Sequence, residues 1–283
     1  MRPTRVYVDL DKLEQNIKSL KDLIKSNQSN AAYMAVVKAD GYGHGAIEVS
    51  KRAVKSGAEW LAVAIPEEGA KLRATGIEEP ILVLGAIDDS EAELILEYDL
   101  IQTVFSQDTI KLLNELGKKY EKPVPVHIKL DTGMGRIGIR EDRELIEFLE
   151  SVKKLPYINC QGIFTHFATS DENHKAFMIE QSQRFKDMLG ICKAYGINFK
   201  YIHAANSAAT IEDPSSYFDL VRGGIAMYGY YPSHEIDMDA VTISPILEWH
   251  TKIMHIKEVE AGTSISYGRT FTTSRRSKIA TIP

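Results

Sequence analysis

Short apolar runs alternate with longer stretches of helical periodicity along most of this chain, and that rhythm restricts the possible folds more than any other feature. Candidate strands lie at 32–38, 60–64, 81–84, 101–105, 125–130, 159–166, 199–203 and 218–222. The segments between them are amphipathic: 108–120 carries Ile110, Leu113 and Leu116 on one side, and 143–152 carries Leu145, Phe148, Leu149 and Val152. Ile81-Leu82-Val83-Leu84 has no polar alternation, as a strand covered by helices on both faces requires. Repeated β-α units of this kind predict an α/β fold, a (β/α)8 TIM-type barrel. An open doubly wound sheet is the alternative, because counting strands does not prove closure.

Two segments fall outside the rhythm. Residues 5–9 alternate like an extra strand and precede a helix with Leu13, Ile17, Leu20 and Ile24 on its apolar side. Beyond Pro232 the period becomes strand-like, with candidates at 246–250, 253–258 and 264–267. The expected organisation is therefore an N-terminal strand at 1–10 associated with a β domain, a barrel at 11–239, and the start of a mostly-β C-terminal domain at 240–283. The run 278–283 reads as a strand that ends without a partner, so that second domain is expected to be cut short.

Composition narrows the function classes. Of 283 residues, Lys+Arg number 34 and Asp+Glu 39, so the net charge is 34 − 39 = −5, which disfavours a general nucleic-acid binder. A hydrophobic fraction of 44% with 26% charged residues is that of a globular protein. No stretch approaches the roughly 20 apolar residues of a membrane span, and residues 1–11 hold no signal-peptide core. A cytoplasmic protein without a membrane partner is expected. Cys160 and Cys192 show no CxxC or Cys/His spacing, so they read as core filler rather than as a disulfide or zinc ligands, and no metal is expected.

In a barrel the reactive groups gather where the strands end and the following loops begin. Lys38 ends the first strand; Lys129 and the loop 131–136 follow the fifth; Thr165-His166 close the sixth. His203 ends the seventh, with Asn206-Ser207 just beyond it, and Arg222-Gly-Gly-Ile225 closes the eighth. Each alone has a bland reading, such as an ion-paired lysine, a structural histidine or a glycine turn, but their convergence on one rim points to a site. The loops after the last two strands offer Ser207 and Gly223-Gly224-Ile225, a pattern suited to a phosphate. Lys38 follows Val36-Val37, and desolvation in such a setting would free its amine for Schiff-base chemistry. A phosphate anchor beside a Schiff-base lysine suggests pyridoxal 5'-phosphate.

Five runs make a specific resemblance. Ala35-Val-Val-Lys-Ala-Asp-Gly-Tyr-Gly-His-Gly45, His127-Ile-Lys-Leu-Asp-Thr-Gly-Met-Gly-Arg-Ile-Gly138, His203-Ala-Ala-Asn-Ser207, Arg222-Gly-Gly-Ile-Ala-Met-Tyr-Gly229 and Ser266-Tyr-Gly268 together closely resemble those of the alanine racemases, in that family's order. The resemblance implies a pyridoxal phosphate-dependent enzyme interconverting L- and D-alanine for peptidoglycan, acting as a homodimer with shared active sites. It implies that Lys38 bonds the cofactor and that Tyr42, Ser207, Gly224 and Ile225, beside Asn206, hold its phosphate. Arg222 would face the ring nitrogen and Arg136 the ring hydroxyl, with Lys129, carbamylated in many members, holding Arg136. Met134 and Arg136 would meet the substrate carboxylate, and Tyr267 would reach the other subunit's site near His166.

Inverting an amino acid at its α-carbon needs proton transfer on both faces, so the resemblance makes Lys38 and Tyr267 the two catalytic groups. The tyrosine requires help, its ordinary pKa being about 10, and His166 backed by Arg222 would supply it. Other readings are a serine or broad-specificity amino-acid racemase, a decarboxylase on a similar barrel, and a non-catalytic pyridoxal phosphate carrier. A Ser-Tyr-Gly context favours the racemase over the decarboxylase, and the β-rich end disfavours the carrier.

Overall fold

The computed structural model describes residues 3–283. The chain divides into two compact units, one of Leu10–Ile246 and one made of the residues up to Asp9 with Leu247–Pro283. Strand β1 (Arg5–Val8) belongs to the second. The first contains eight strands: β2 (Ala32–Val36), β3 (Trp60–Val63), β4 (Ile81–Val83), β5 (Ile101–Val104), β6 (Val124–Lys129), β7 (Ile158–Phe164), β8 (Tyr201–His203) and β9 (Leu220–Gly223). Neighbours pair in parallel in the order β8-β7-β6-β5-β4-β3-β2-β9. Asp219 N–H donates to Ile202 O at 3.0 Å and Arg222 N–H to Ala205 O at 3.1 Å, drawing β9 against β8. The sheet is thus a (β/α)8 barrel and not an open sheet.

Helices separate the strands and bury the faces that the sequence marks as apolar. Gln107–Lys119 starts one residue ahead of the periodic pattern because Ser106 caps it, its Oγ accepting the Thr109 N–H at 3.2 Å, and the helix buries Ile110 and Leu113. Strand alternation then sends every second side chain into the barrel. Met34, Val36, Trp60, Ala62, Leu82, Ile101 and Leu220 form one apolar cluster. Further along the same strands, towards their C-terminal ends, stand Lys129 on β6, His203 on β8 and Arg222 on β9, all buried.

Strand ends depart from the apolar pattern where the backbone turns left-handed. β2 stops at Val36, short of Lys38, because Ala39, Asp40 and Gly41 have φ of 51, 53 and 63°. β9 starts at Leu220 because Phe218 has φ 47°. β7 ends at Phe164, before Thr165-His166. Cys192 is buried and Cys160 half-buried, and burial pushes both thiols up to about 12.

The second unit consists of antiparallel pairs. β1 pairs with β10 (Leu247–His250), β11 (His255–Val259) with β14 (Ser277–Thr281), and β12 (Ser264–Ile265) with β13 (Phe271–Thr272). The terminal run is therefore partnered, with Lys278 opposite Glu258, which corrects the expectation of an unpaired strand. The candidate at 264–267 stops at Ile265, because Ser266 at φ 61° turns the chain into a short 3-10 segment, Tyr267–Arg269. Among the described residues no helix is long and apolar enough to cross a membrane.

Candidate active site

A cavity of about 570 Å³ opens at the C-terminal ends of the barrel strands. Of the barrel residues singled out in the sequence, Lys38, Tyr42, Lys129, Met134, Arg136, His166, Asn206, Ser207, Arg222, Gly224 and Ile225 line it, whereas Thr165, His203 and Gly223 lie outside its lining. Val36, Leu84, Phe164 and Phe167 supply the apolar wall. Tyr267 lies in the other unit, on its 3-10 segment, and is 99% exposed.

Lys38 opens a left-handed turn. Ala39, Asp40, Gly41 and Tyr42 all have φ between 51 and 63°, a conformation that costs a non-glycine residue about 1–2 kcal/mol. Surrounding bonds hold it. Glu68 accepts the Ala39 N–H at 2.6 Å and the Ala64 N–H at 2.7 Å, tying together the ends of β2 and β3. Asp40 Oδ1 accepts the Ala46 N–H at 2.9 Å, and the buried Tyr228 hydroxyl donates to Val36 O at 3.0 Å. The Tyr42 ring packs 5.1 Å from that of Tyr228, and Lys38 Nζ sits 5.9 Å from the Tyr42 ring centre. Because the chain swings away at Val37, Lys38 is part-exposed on the cavity wall, less sealed than its apolar prefix predicts. Burial raises the Tyr42 hydroxyl, which leaves it a neutral donor at neutral pH.

Beyond β8 and β9 the chain forms a small polar cradle. Ser207 Oγ accepts N–H groups of Gly224 at 3.0 Å and Ala226 at 3.3 Å. A Cβ at residue 224 would stand 3.4 Å from Tyr42 Oη and 3.5 Å from Ser207 Oγ, so the glycine leaves a recess edged by two hydroxyls. Asn206 shapes this corner rather than pointing out of it: its Oδ1 accepts the Ala209 N–H at 3.1 Å and the Ser170 hydroxyl at 2.9 Å.

Arg222 dominates the cavity floor. Its Nη2 donates to Thr165 O at 2.9 Å, Ala204 O at 2.8 Å and His166 Nδ1 at 3.2 Å, and its Nη1 to His203 Nδ1 at 3.0 Å. A guanidinium can only donate, so both histidines accept on Nδ1 and carry their proton on Nε2. Burial, then the charge of Arg222, holds His166 and His203 well below the ordinary histidine value, which keeps them neutral. Burial also lowers Arg222, to about 9, so it remains cationic at neutral pH.

Lys129 is 2% exposed; its Nζ donates to Leu130 O at 2.7 Å and lies 5.2 Å over the Phe164 ring. Burial, reinforced by Arg222 and Arg136 and opposed by Asp131, lowers its amine to about 7. No hydrogen bond among the described residues joins Lys129 to Arg136, and a protonated lysine would offer that guanidinium no acceptor. Met134 and Arg136 ride on a loop shaped by Asp131, whose Oδ1 accepts the N–H groups of Gly133 at 3.1 Å and Gly135 at 2.9 Å.

Sequence reasoning gave no role to Glu68, Tyr228 or the ring of His203. The signal for His203 was its place in an inward register shared with Tyr201; for Glu68 and Tyr228 there was none.

The comparisons with known proteins agree with one another. The family model of the alanine racemase N-terminal domain matches residues 8–232, and that of the C-terminal domain matches 246–283. A curated alanine racemase of Halothermothrix orenii is 45% identical over 282 residues, 100% of this chain and 73% of that protein. A solved alanine racemase of Clostridium difficile 630 superposes with a TM-score of 0.91 at 38% identity, covering 100% of this chain and 73% of that one. The Bacillus anthracis alanine racemase with bound L-Ala-P gives a TM-score of 0.90 at 40% identity, covering 100% of this chain and 72% of that one.

Proposed function

This chain belongs to the alanine racemase family and is an amino-acid racemase, and from that premise we propose that alanine is its substrate, that pyridoxal 5'-phosphate is its cofactor, and that Lys38 and Tyr267 move the protons. The family depends on that cofactor in general, and the cavity residues fit it. The recess at Gly224, bounded by Ser207 Oγ and Tyr42 Oη, suits a phosphate, with the backbone of Gly224 and Ile225 around it. Arg222 offers an aromatic ring nitrogen a donor that cannot take up its proton. Arg136 is available for the ring hydroxyl and, with Met134, for the substrate carboxylate. When bound, the cofactor supplies delocalisation for the electron pair left on the substrate α-carbon.

The chain's own residues do the rest. The Lys38 amine takes or returns the α-proton on one face, and the Tyr267 hydroxyl of a second copy serves the other face. His166 carries its proton on Nε2, because Nδ1 accepts from Arg222, and it can therefore donate to a Tyr267 phenolate and ease its formation. Lys129, with its amine near 7, is partly unprotonated at neutral pH and able to attack carbon dioxide, forming an N–C bond and releasing a proton. The resulting carbamate is an anionic acceptor that would hold Arg136, which the protonated amine cannot. A homodimer in the cytoplasm supplying D-alanine for peptidoglycan completes the reading.

The observation that carries it is the meeting of Lys38, an all-donor Arg222 and the Gly224 recess in one cavity. The test is to load the full chain with pyridoxal phosphate, reduce it with borohydride, map the labelled residue, and assay racemisation across single-enantiomer amino acids. Label on Lys38 with alanine the fastest substrate is expected. A label elsewhere, or retained in Lys38→Ala, would overturn the cofactor assignment, and serine turning over faster would shift the substrate.

A further inference from the structure

The hydrogen-bond chain behind Arg222 continues beyond His203. His203 Nε2 lies 3.0 Å from Nδ1 of His127, which is fully buried on β6. The His127 ring packs 5.4 Å from Trp60 and 6.1 Å from Tyr201, in the apolar lower part of the barrel. Because His203 must accept from Arg222 on Nδ1, its Nε2–H donates to His127 Nδ1, and the one proton of a neutral His127 is on Nε2, which has no partner. Every bond in the chain therefore runs away from the arginine.

The fold makes room for this ring. The β6–β7 register shifts between Val126 and His127, and the residue beside the ring is Gly162, where a Cβ would stand 2.5 Å from Nε2. A buried imidazole with an unanswered N–H at a local irregularity is not what core packing alone selects.

We propose that His127 is a positioning residue for racemisation: it holds His203 in the tautomer that accepts from Arg222, and so fixes the orientation of the guanidinium on the cavity floor. This rests on the reading that Arg222 meets the cofactor. Without an acceptor at position 127, the His203 Nε2–H is buried and unsatisfied. The other tautomer relieves that but aims an Nδ1–H at a donor of Arg222, which must then rotate. The charged groups nearest the chain are Arg222, which is cationic, and Lys129, whose amine lies near 7, and burial holds His127 down at about 3, so it stays a neutral acceptor.

The test pairs His127→Leu, which fills the space without an acceptor, with His127→Asn, whose amide oxygen can stand near Nδ1. In the cofactor-loaded full chain, 15N spectra of the parent should give His127 and His203 as neutral Nε2–H tautomers between about pH 6 and 9. His127→Leu should move His203 to Nδ1–H and lower kcat about tenfold with little change in KM, and His127→Asn should restore both. A parent His203 protonated on Nδ1 overturns the proposal without any variant. So does a Leu variant with unaltered tautomer and kcat, or Leu and Asn variants impaired alike. A chain with the expected tautomers in all three forms but no racemisation would count against the proposed function instead.

Discussion

The barrel and the β-rich unit treat burial in opposite ways. The barrel hides cationic and imidazole groups, Lys129, Arg222, His127 and His203 all being buried, because a closed ring of strands gives each inward side chain neighbours on every side. The other unit is built of two-stranded pairs, which leave faces uncovered. Trp249 is 74% and Met254 62% exposed, and Thr273 alone is buried there among the described residues. Chemistry that needs charges held in fixed protonation states belongs in the first setting. A side chain that must reach outward, as Tyr267 does, belongs in the second.

The widest separation between the two should come from chemistry. Lys38→Ala is expected to remove racemisation by on the order of 10⁴-fold or more, together with covalent cofactor retention, measured by turnover and by absorbance after gel filtration. Tyr267→Phe should lower kcat by about 10²–10³-fold with an unchanged melting temperature, since within its own chain the side chain is exposed; a drop in melting temperature would blur the contrast.

Stability should sharpen it next. Leu82→Ala, in the apolar lower barrel, is expected to cost about 2–5 kcal/mol in denaturant titration. Ile256→Ala, on an exposed strand face, should stay within about 0.5 kcal/mol. A comparable loss at both sites would mean that the second unit is covered in solution.

The smallest separation is in acid. Burial holds His127, His166 and His203 below their unfolded value, so the unfolded chain binds more protons between about pH 3 and 6.5. Stability contributed by their neutral forms is complete above that window and is lost as pH falls through it, by about 2 kcal/mol per group at pH 5. His203→Asn should flatten the fall in melting temperature by one proton's worth, whereas His255→Asn, on exposed β11, should not.

Much of this contrast was legible in the residues. Continuous runs such as Ile81-Leu82-Val83 read as strands covered on both faces, and the eight strands follow their pattern to within a few residues. What escaped depends on pairing or backbone sign. Nothing local in Phe218 or Ser266 announces a positive φ, and the partner of the terminal strand, β11, is separated from it by the β12–β13 pair, so their pairing is not written in adjacent residues. The rim residues were readable because loop chemistry is written in consecutive letters. The chain from Arg222 to His127 was not, because it joins side chains of β9, β8 and β6 that meet only once the barrel closes.

The turn beside Lys38 bears on how this sequence can drift. Three non-glycine residues there, Ala39, Asp40 and Tyr42, keep a backbone hand that branched side chains reject. Spelling around the reactive amine is thus narrowed by geometry before chemistry selects anything. Descendants of this chain are free to rewrite their outer helices, but at positions 39–43 inheritance has a short alphabet.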